Sequence, residues 1–212
     1  MVIHDISLPV SKSLATWPTH PPIKISQPRH LEKGDHATVS EIRMSAHTGT
    51  HMDAPNHFIT EGSGIDALDL NLLVGVTLVV DATNVEQISA SELADMQIPD
   101  NTDRVLFRTS NSERWYRNHE EFFEDYVGIT HSGADWLIKH GIRLVGIDSL
   151  SVATIDQSVP THKALLGAGI TIVEGLYLKG ISPGMYNLVC LPIKLMRLDG
   201  APARAILIEL PR

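Results

Sequence analysis

The chain has 212 residues, with 17 Lys and Arg against 25 Asp and Glu (formal net charge −8), 11 His and a single Cys. A composition of 43% hydrophobic and 20% charged residues excludes a disordered chain, and the length suits one domain spanning residues 1–212. The acidic balance argues against nucleic acid or an anionic membrane as partner, and the lone cysteine excludes an internal disulfide or a zinc site built on paired thiolates.

No apolar stretch reaches the ~18 residues of a membrane span. The start of the chain, Met1-Val2-Ile3-His4-Asp5, has no basic stretch followed by an apolar run, so a cytoplasmic protein without a signal peptide is expected. The proline-rich Trp17-Pro18-Thr19-His20-Pro21-Pro22 reads as an extended loop inside the domain. A strand follows it, with Ile42, Met44 and Ala46 as its apolar face.

Beyond residue 70, short apolar runs rich in β-branched residues predict strands over 77–81, 104–108, 144–148, 170–173, 188–191 and 205–208. Several are continuous rather than alternating, which suits strands covered on both faces. Ser89 and Glu92 have capping-box spacing and predict a short helix through Met96. Thr130 can cap a helix that passes Trp136 and stops at Gly141, and a third helix is expected over 162–166. The class is α/β with strands predominating.

Most of the histidines, His20 among them, share no ligand spacing and read as surface or cap residues. The segment from His47 to His57 differs, because His47, His51, Asp53 and His57 crowd into eleven residues. Gly49, Pro55 and the β-branched Thr48 and Thr50 disfavour a helix there. An extended chain would project all four side chains to one side, with Gly49 leaving room between imidazoles. Imidazole and carboxylate without sulfur form a ligand set for Zn²⁺, Mn²⁺ or Fe²⁺.

The run His47-Thr48-Gly49-Thr50-His51-Met52-Asp53-Ala54-Pro55-Asn56-His57-Phe58 resembles the signature of the cyclase family of metal-dependent hydrolases, which includes bacterial kynurenine formamidases and isatin hydrolase. The resemblance extends to Asp5-Ile6-Ser7, Trp17-Pro18, Gly146-Ile147-Asp148, His162, Glu174-Gly175 and Leu191-Pro192-Ile193-Lys194. It implies the swivelling β/β/α fold, a homodimer or higher homo-oligomer, and two divalent metal ions, zinc first and manganese second.

By the same resemblance His47 and His51 bind one metal, Asp53 bridges two, His162 binds the second and Glu174 contacts both. His57 would donate and accept the proton, and Trp17 would border a small-molecule substrate. The implied reaction is C–N hydrolysis of an aryl formamide such as N-formylkynurenine, with isatin-like cyclic amides or lactones as alternatives. The formamidases usually continue Gly-Asp after Trp-Pro, whereas this chain has Thr19-His20.

Rival readings are weaker. Gly146-Ile147-Asp148-Ser149-Leu150 has one residue too many for a Gly-Asp-Ser-Leu esterase, and Cys190 sits in an apolar strand. A metal-stabilised binding protein without turnover would not need His57.

Overall fold

The computed structural model describes residues 1–211. Its strands are β1 (Ile3–Asp5), β2 (Lys24–Arg29), β3 (Val39–Arg43), β4 (His51–Asp53), β5 (Val74–Ala82), β6 (Arg104–Thr109), β7 (Leu144–Ile147), β8 (Thr171–Glu174), β9 (Gly184–Pro192) and β10 (Gly200–Glu209). The α-helices are α1 (Leu70–Leu73), α2 (Ala90–Asp95), α3 (Asn111–Arg117), α4 (His131–Lys139) and α5 (Ser158–Gly167).

The main sheet runs β1-β10-β4-β8-β7-β6-β5-β9, and β10 also pairs with β9, so the sheet closes on itself like a barrel. Strands β5 through β8 are parallel neighbours. Each crossover between them carries helix, as parallel pairing requires. Side chains alternate accordingly. Leu106, Leu144 and Val173 enter the barrel interior with Met52, Leu188 and Leu207, whereas Phe107, Val145 and Ile172 face the helices with Leu93, Leu137 and Leu165. This double coverage explains why the parallel strands read as unbroken apolar runs.

The helix signals act as expected. Ser89 and Glu92 form the capping box of α2, the Thr130 side chain accepts from Gly133 N at the start of α4, and Gly141 turns the chain after it with φ 72°. The third helix begins at Ser158 rather than His162. Pro160 lies in its first turn, where a missing N–H breaks no helical bond. His162 therefore sits in the second turn.

The expected apolar face of the strand before the histidine motif needs correction. β2 and β3 form a separate two-stranded hairpin, and every residue of β3 is exposed, Ile42 included. It covers no core. The Trp17 loop instead joins a third apolar cluster with Leu8, Leu14, Ile23, Trp115 and Leu150, next to the carboxyl ends of the parallel strands.

Candidate metal centre

Three-residue β4 lies between β8 and β10, antiparallel to both, with His51 opposite Glu174 and Asp53 opposite Gly200. All of β4 is buried. His51 and Asp53 share one side of this strand, as the spacing predicts. The extended segment, however, stops there.

His47 arrives from a bend and His57 from a short 3₁₀ turn over Pro55–His57, so turns rather than strand parity bring these two rings to the site. Gly49 also has a different role from the one expected. Its φ is +64°, and an added Cβ would meet Val10 Cγ2 at 3.1 Å and Leu14 Cδ2 at 3.4 Å. It turns the chain against the N-terminal loop and does not make space between imidazoles.

The side chains converge on Asp53. His47 Nδ1 lies 2.9 Å and His51 Nε2 3.5 Å from Asp53 Oδ1, while His162 Nε2 lies 3.7 Å from Asp53 Oδ2. Glu174 closes the set, with Oε2 3.2 Å from His51 Nε2 and Oε1 3.2 Å from His162 Nε2. Val152 N donates to Glu174 Oε1 at 2.6 Å and holds the carboxylate in place. Two trios thus share Asp53: His47, His51 and Asp53, then Asp53, His162 and Glu174. A third trio of His47, His57 and Asp199 adjoins them.

The cluster buries two carboxylates. Asp53 and Glu174 are 0% and 4% exposed, and among the described residues no Lys or Arg lines the cavity above them. Burying an uncompensated carboxylate costs several kcal/mol, about 3–5 when a partner is lost. His51 Nε2 and Asp53 Oδ2 are moreover buried without any hydrogen-bond partner. An imidazole lone pair and a carboxylate oxygen aimed at one space, both unsatisfied, fit a divalent cation.

Protonation follows the same field. Burial disfavours a charged His47, but its bonds to Asp53 and Asp199 outweigh this and raise it to about 9. Burial likewise opposes charge on His162, and Glu174 overcomes it to raise the ring's pKa. Burial alone would raise Glu174, yet the bond to His162 and the close approach of the His51 ring hold it well below the usual carboxylate range. His57 is lowered, first by burial and then by repulsion from His47.

A cavity of about 170 Å³ opens above the cluster, lined by Trp17, Thr19, His20, Phe58, Leu150 and Ser151 besides His47, His57, His162 and Glu174. His57 stacks on His47 with ring centroids 4.0 Å apart, and Phe58 stacks on His162 at 4.3 Å. Trp17 stands edge-on to Phe122 at 5.1 Å. His20, expected as a surface or cap residue, is instead half-buried in the cavity wall, and its Nδ1 has no partner. Burial and then the charge of His47 lower its pKa.

The family model for putative cyclases matches residues 4–154. The chain belongs to the cyclase family. This cyclase-family chain is 44% identical over 188 residues to Cyclase-like protein 3 of Oryza sativa subsp. japonica, covering 86% of this chain and 70% of that protein. It is 35% identical over 204 residues to the kynurenine formamidase of Bacillus cereus, covering 96% of this chain and 95% of that one. It is also similar to the solved structure of a potential metal-dependent hydrolase with cyclase activity, with TM-score 0.84, 33% identity and 99% of each chain covered. The α/β fold expected from the histidine motif is the cyclase-family fold observed.

Two aspartates of this cyclase-family chain had no role read from the sequence. Asp199 Oδ2 lies 3.0 Å from His47 Nε2 and 3.7 Å from His57 Nδ1. Its only local signal was an Asp-Gly pair, which also reads as an ordinary turn. Asp148, read as the end of the strand over 144–148, is fully buried and accepts from Thr109 N (2.9 Å), Thr109 Oγ1 (2.6 Å), Ser112 N (3.1 Å) and Ser112 Oγ (2.6 Å). The rival nucleophiles are enclosed. Ser149 Oγ donates to Ser151 O at 2.6 Å, and burial pushes the Cys190 thiol up to about 12.

Proposed function

We propose that this protein is a metal-dependent hydrolase that cleaves the C–N bond of a small aryl formamide, with N-formylkynurenine as the reference substrate. The observation that carries the reading is an aromatic-walled cavity lined by His47, His162 and Glu174, which cluster with His51 and Asp53, whose Nε2 and Oδ2 are buried without partners. The similarity to the Bacillus cereus kynurenine formamidase over nearly both full lengths supports the substrate class.

In this reading His47, His51 and Asp53 hold one divalent ion, and Asp53, His162 and Glu174 hold a second. Zinc is favoured and manganese is second, because both accept imidazole and carboxylate. When bound, such ions supply Lewis acidity, polarising a carbonyl and making water nucleophilic at neutral pH. The chain's own residues do the rest.

Trp17 and Phe58 wall the cavity and receive an aryl ring. Phe58, flat against His162, shields that side of the cluster from bulk water. His57 is the general acid–base. Burial keeps its ring neutral near pH 7, ready to take a proton from water and return it to the leaving nitrogen. Its Nδ1 faces Asp199, which leaves Nε2 for the exchange.

The test is a turnover panel of N-formylkynurenine, formanilide and isatin, each with and without a chelator. Chelator-sensitive release of formate from the linear amides supports the proposal. Turnover of isatin alone moves the substrate to cyclic amides. Metal binding without turnover of any of the three makes the protein a binding protein. We further infer a cytoplasmic homodimer, to be checked by cell fractionation and sedimentation velocity. The buried lone Cys190 suits a reducing compartment.

A further inference from the structure

We propose that Asp199 is a positioning residue that fixes the His47 tautomer, so that His47 Nδ1 is turned toward Asp53. The inference rests on the metal centre proposed above and extends it to a residue outside the two trios that share Asp53.

The three cluster histidines follow one pattern. His51 Nδ1 donates to Gly49 O at 3.0 Å, which leaves Nε2 facing Asp53. His162 Nδ1 donates to Ser158 O at 2.7 Å, which leaves Nε2 facing Asp53 and Glu174. In each, an acceptor outside the trio takes one N–H and thereby selects the nitrogen that faces inward. His47 has no main-chain carbonyl in that role. Its Nε2 meets Asp199 Oδ2 at 3.0 Å, and its Nδ1 meets Asp53 Oδ1 at 2.9 Å. Between two carboxylates the ring can carry both N–H groups; with a cation bound in the cluster it would keep only Nε2–H, donated to Asp199, and turn the Nδ1 lone pair to the cluster.

The seat is built for this ring. Asp199 O accepts from Ala54 N at 2.8 Å, and the next residue, Gly200, pairs in register with Asp53. Metal ligand and positioning group therefore hang from hydrogen-bonded neighbours. A Cβ on Gly200 would lie 2.7 Å from His47 Cε1 and 2.8 Å from Met52 O, so only glycine lets the imidazole rest against β10. The same Asp199 oxygen lies 3.7 Å from His57 Nδ1. One carboxylate thus touches both the inward-turned His47 and the ring assigned to proton transfer.

The experiment uses the metal-stripped full chain and Zn²⁺ alone as probe. Affinity and stoichiometry are read by competition with a chromophoric chelator, alongside kcat and KM after reloading. Loss of this partner from a ligating histidine is expected to weaken Zn²⁺ binding by about 10–100-fold. Asp199→Ala should show that loss with wild-type stoichiometry and a fall in kcat larger than the change in KM. Asp199→Asn, which keeps an accepting oxygen, should fall between wild type and Asp199→Ala. Long-range ¹H–¹⁵N spectra of the zinc-loaded wild type should show His47 as the Nε2–H tautomer.

Wild-type affinity in Asp199→Ala would overturn the proposal, provided His51→Ala binds more weakly in the same assay. If His51→Ala also leaves affinity unchanged, the metal centre itself is wrong. A lost equivalent of Zn²⁺ in Asp199→Ala would make Asp199 a ligand with His47 and His57, and would equally overturn a positioning role. Thermal melts of each variant separate these outcomes from misfolding.

Discussion

His51 and Glu174 face each other across the β4–β8 ladder, with Nε2 and Oε2 3.2 Å apart, although most of the chain's parallel strands lie between them in sequence. The antiparallel register places an imidazole from the N-terminal part and a carboxylate from the C-terminal part on one face of the sheet. Glu174 is also the last residue of β8, at the carboxyl end of a parallel array where ligands characteristically bind. Each partner is held from behind, His51 by Gly49 O and Glu174 by Val152 N. The geometry is thus set by main-chain hydrogen bonds rather than by the site groups alone.

Metal removal tests this centre directly. Without bound cations, the charge of the buried Asp53 and Glu174 carboxylates falls to protonation of the rings of His47 and His162, whose pKa values they raise. A ligand present at 100 times its dissociation constant stabilises by about 2.7 kcal/mol. At about 2–4 °C per kcal/mol for a chain of this size, chelation should lower Tm by roughly 5–11 °C. Differential scanning fluorimetry with and without chelator, then with added Zn²⁺ or Mn²⁺, measures it. An unchanged Tm with no metal found by elemental analysis would remove the centre.

His57→Ala separates chemistry from metal binding. The ring is about a quarter exposed to the cavity and stacks on His47, outside both trios that share Asp53. General acid–base groups contribute about 10²–10⁴-fold, so kcat should fall by that factor while metal content stays at the wild-type level. Single-turnover kinetics and metal analysis of the same sample check the pair. Full activity in the variant would assign the proton to another group.

The strands of the barrel were legible because fully buried β7 is a continuous apolar run, and the two capped helices were legible because Ser89, Glu92 and Thr130 carry the caps. β1, β2 and α3 were not, since short or exposed elements carry little hydrophobic pattern. The motif gave the identity of the clustered residues but not the path that gathers them. Parity describes His51 and Asp53 only, and the positive φ at Gly49 and the 3₁₀ turn at Pro55 had to be seen. Asp199 and His20 were hidden for another reason. Their places beside the site come from neighbours distant in sequence, which no local spacing encodes.

Asp148 supplies a prediction about the scaffold beneath the site. Burial raises its pKa despite four short bonds from Thr109 and Ser112, which tie the end of β6 to the start of α3. Asn at this position keeps one accepting oxygen and points its NH₂ at donors. Hydrogen bonds to charged groups are worth about 1.5–3 kcal/mol each, and an unsatisfied buried donor costs about 1–3. Asp148→Asn should therefore destabilise by about 2–4 kcal/mol, read by urea unfolding. A change below 1 kcal/mol would mean the carboxylate is dispensable to the fold.

Cys190 provides a pH control on the barrel interior. It is fully buried in β9, and burial pushes its thiol up to about 12. An ordinary thiol, near 8.5, becomes largely thiolate between pH 7 and 9 and reacts faster over that range. Cys190 should show no such rise, since its thiolate forms only as pH approaches the raised value. Labelling with an aromatic disulfide should stay negligible from pH 7 to 9 and become complete in denaturant. Fast labelling of the folded chain would mean the barrel opens.

Trp17→Ala tests the cavity wall. The indole lines the cavity and packs edge-on against Phe122, with ring centroids 5.1 Å apart. Its loss removes apolar surface from one side of the substrate, but it touches none of the groups around Asp53. Losing a packed aromatic contact of this kind costs about 1–3 kcal/mol of binding, or roughly a factor of 5–150. For an aryl formamide the loss should appear mainly as a raised KM, with kcat within a few-fold of wild type. A formamide without an aryl ring should lose little, because it never used the indole. Equal losses for both substrates would mean that Trp17 supports the loop rather than the substrate.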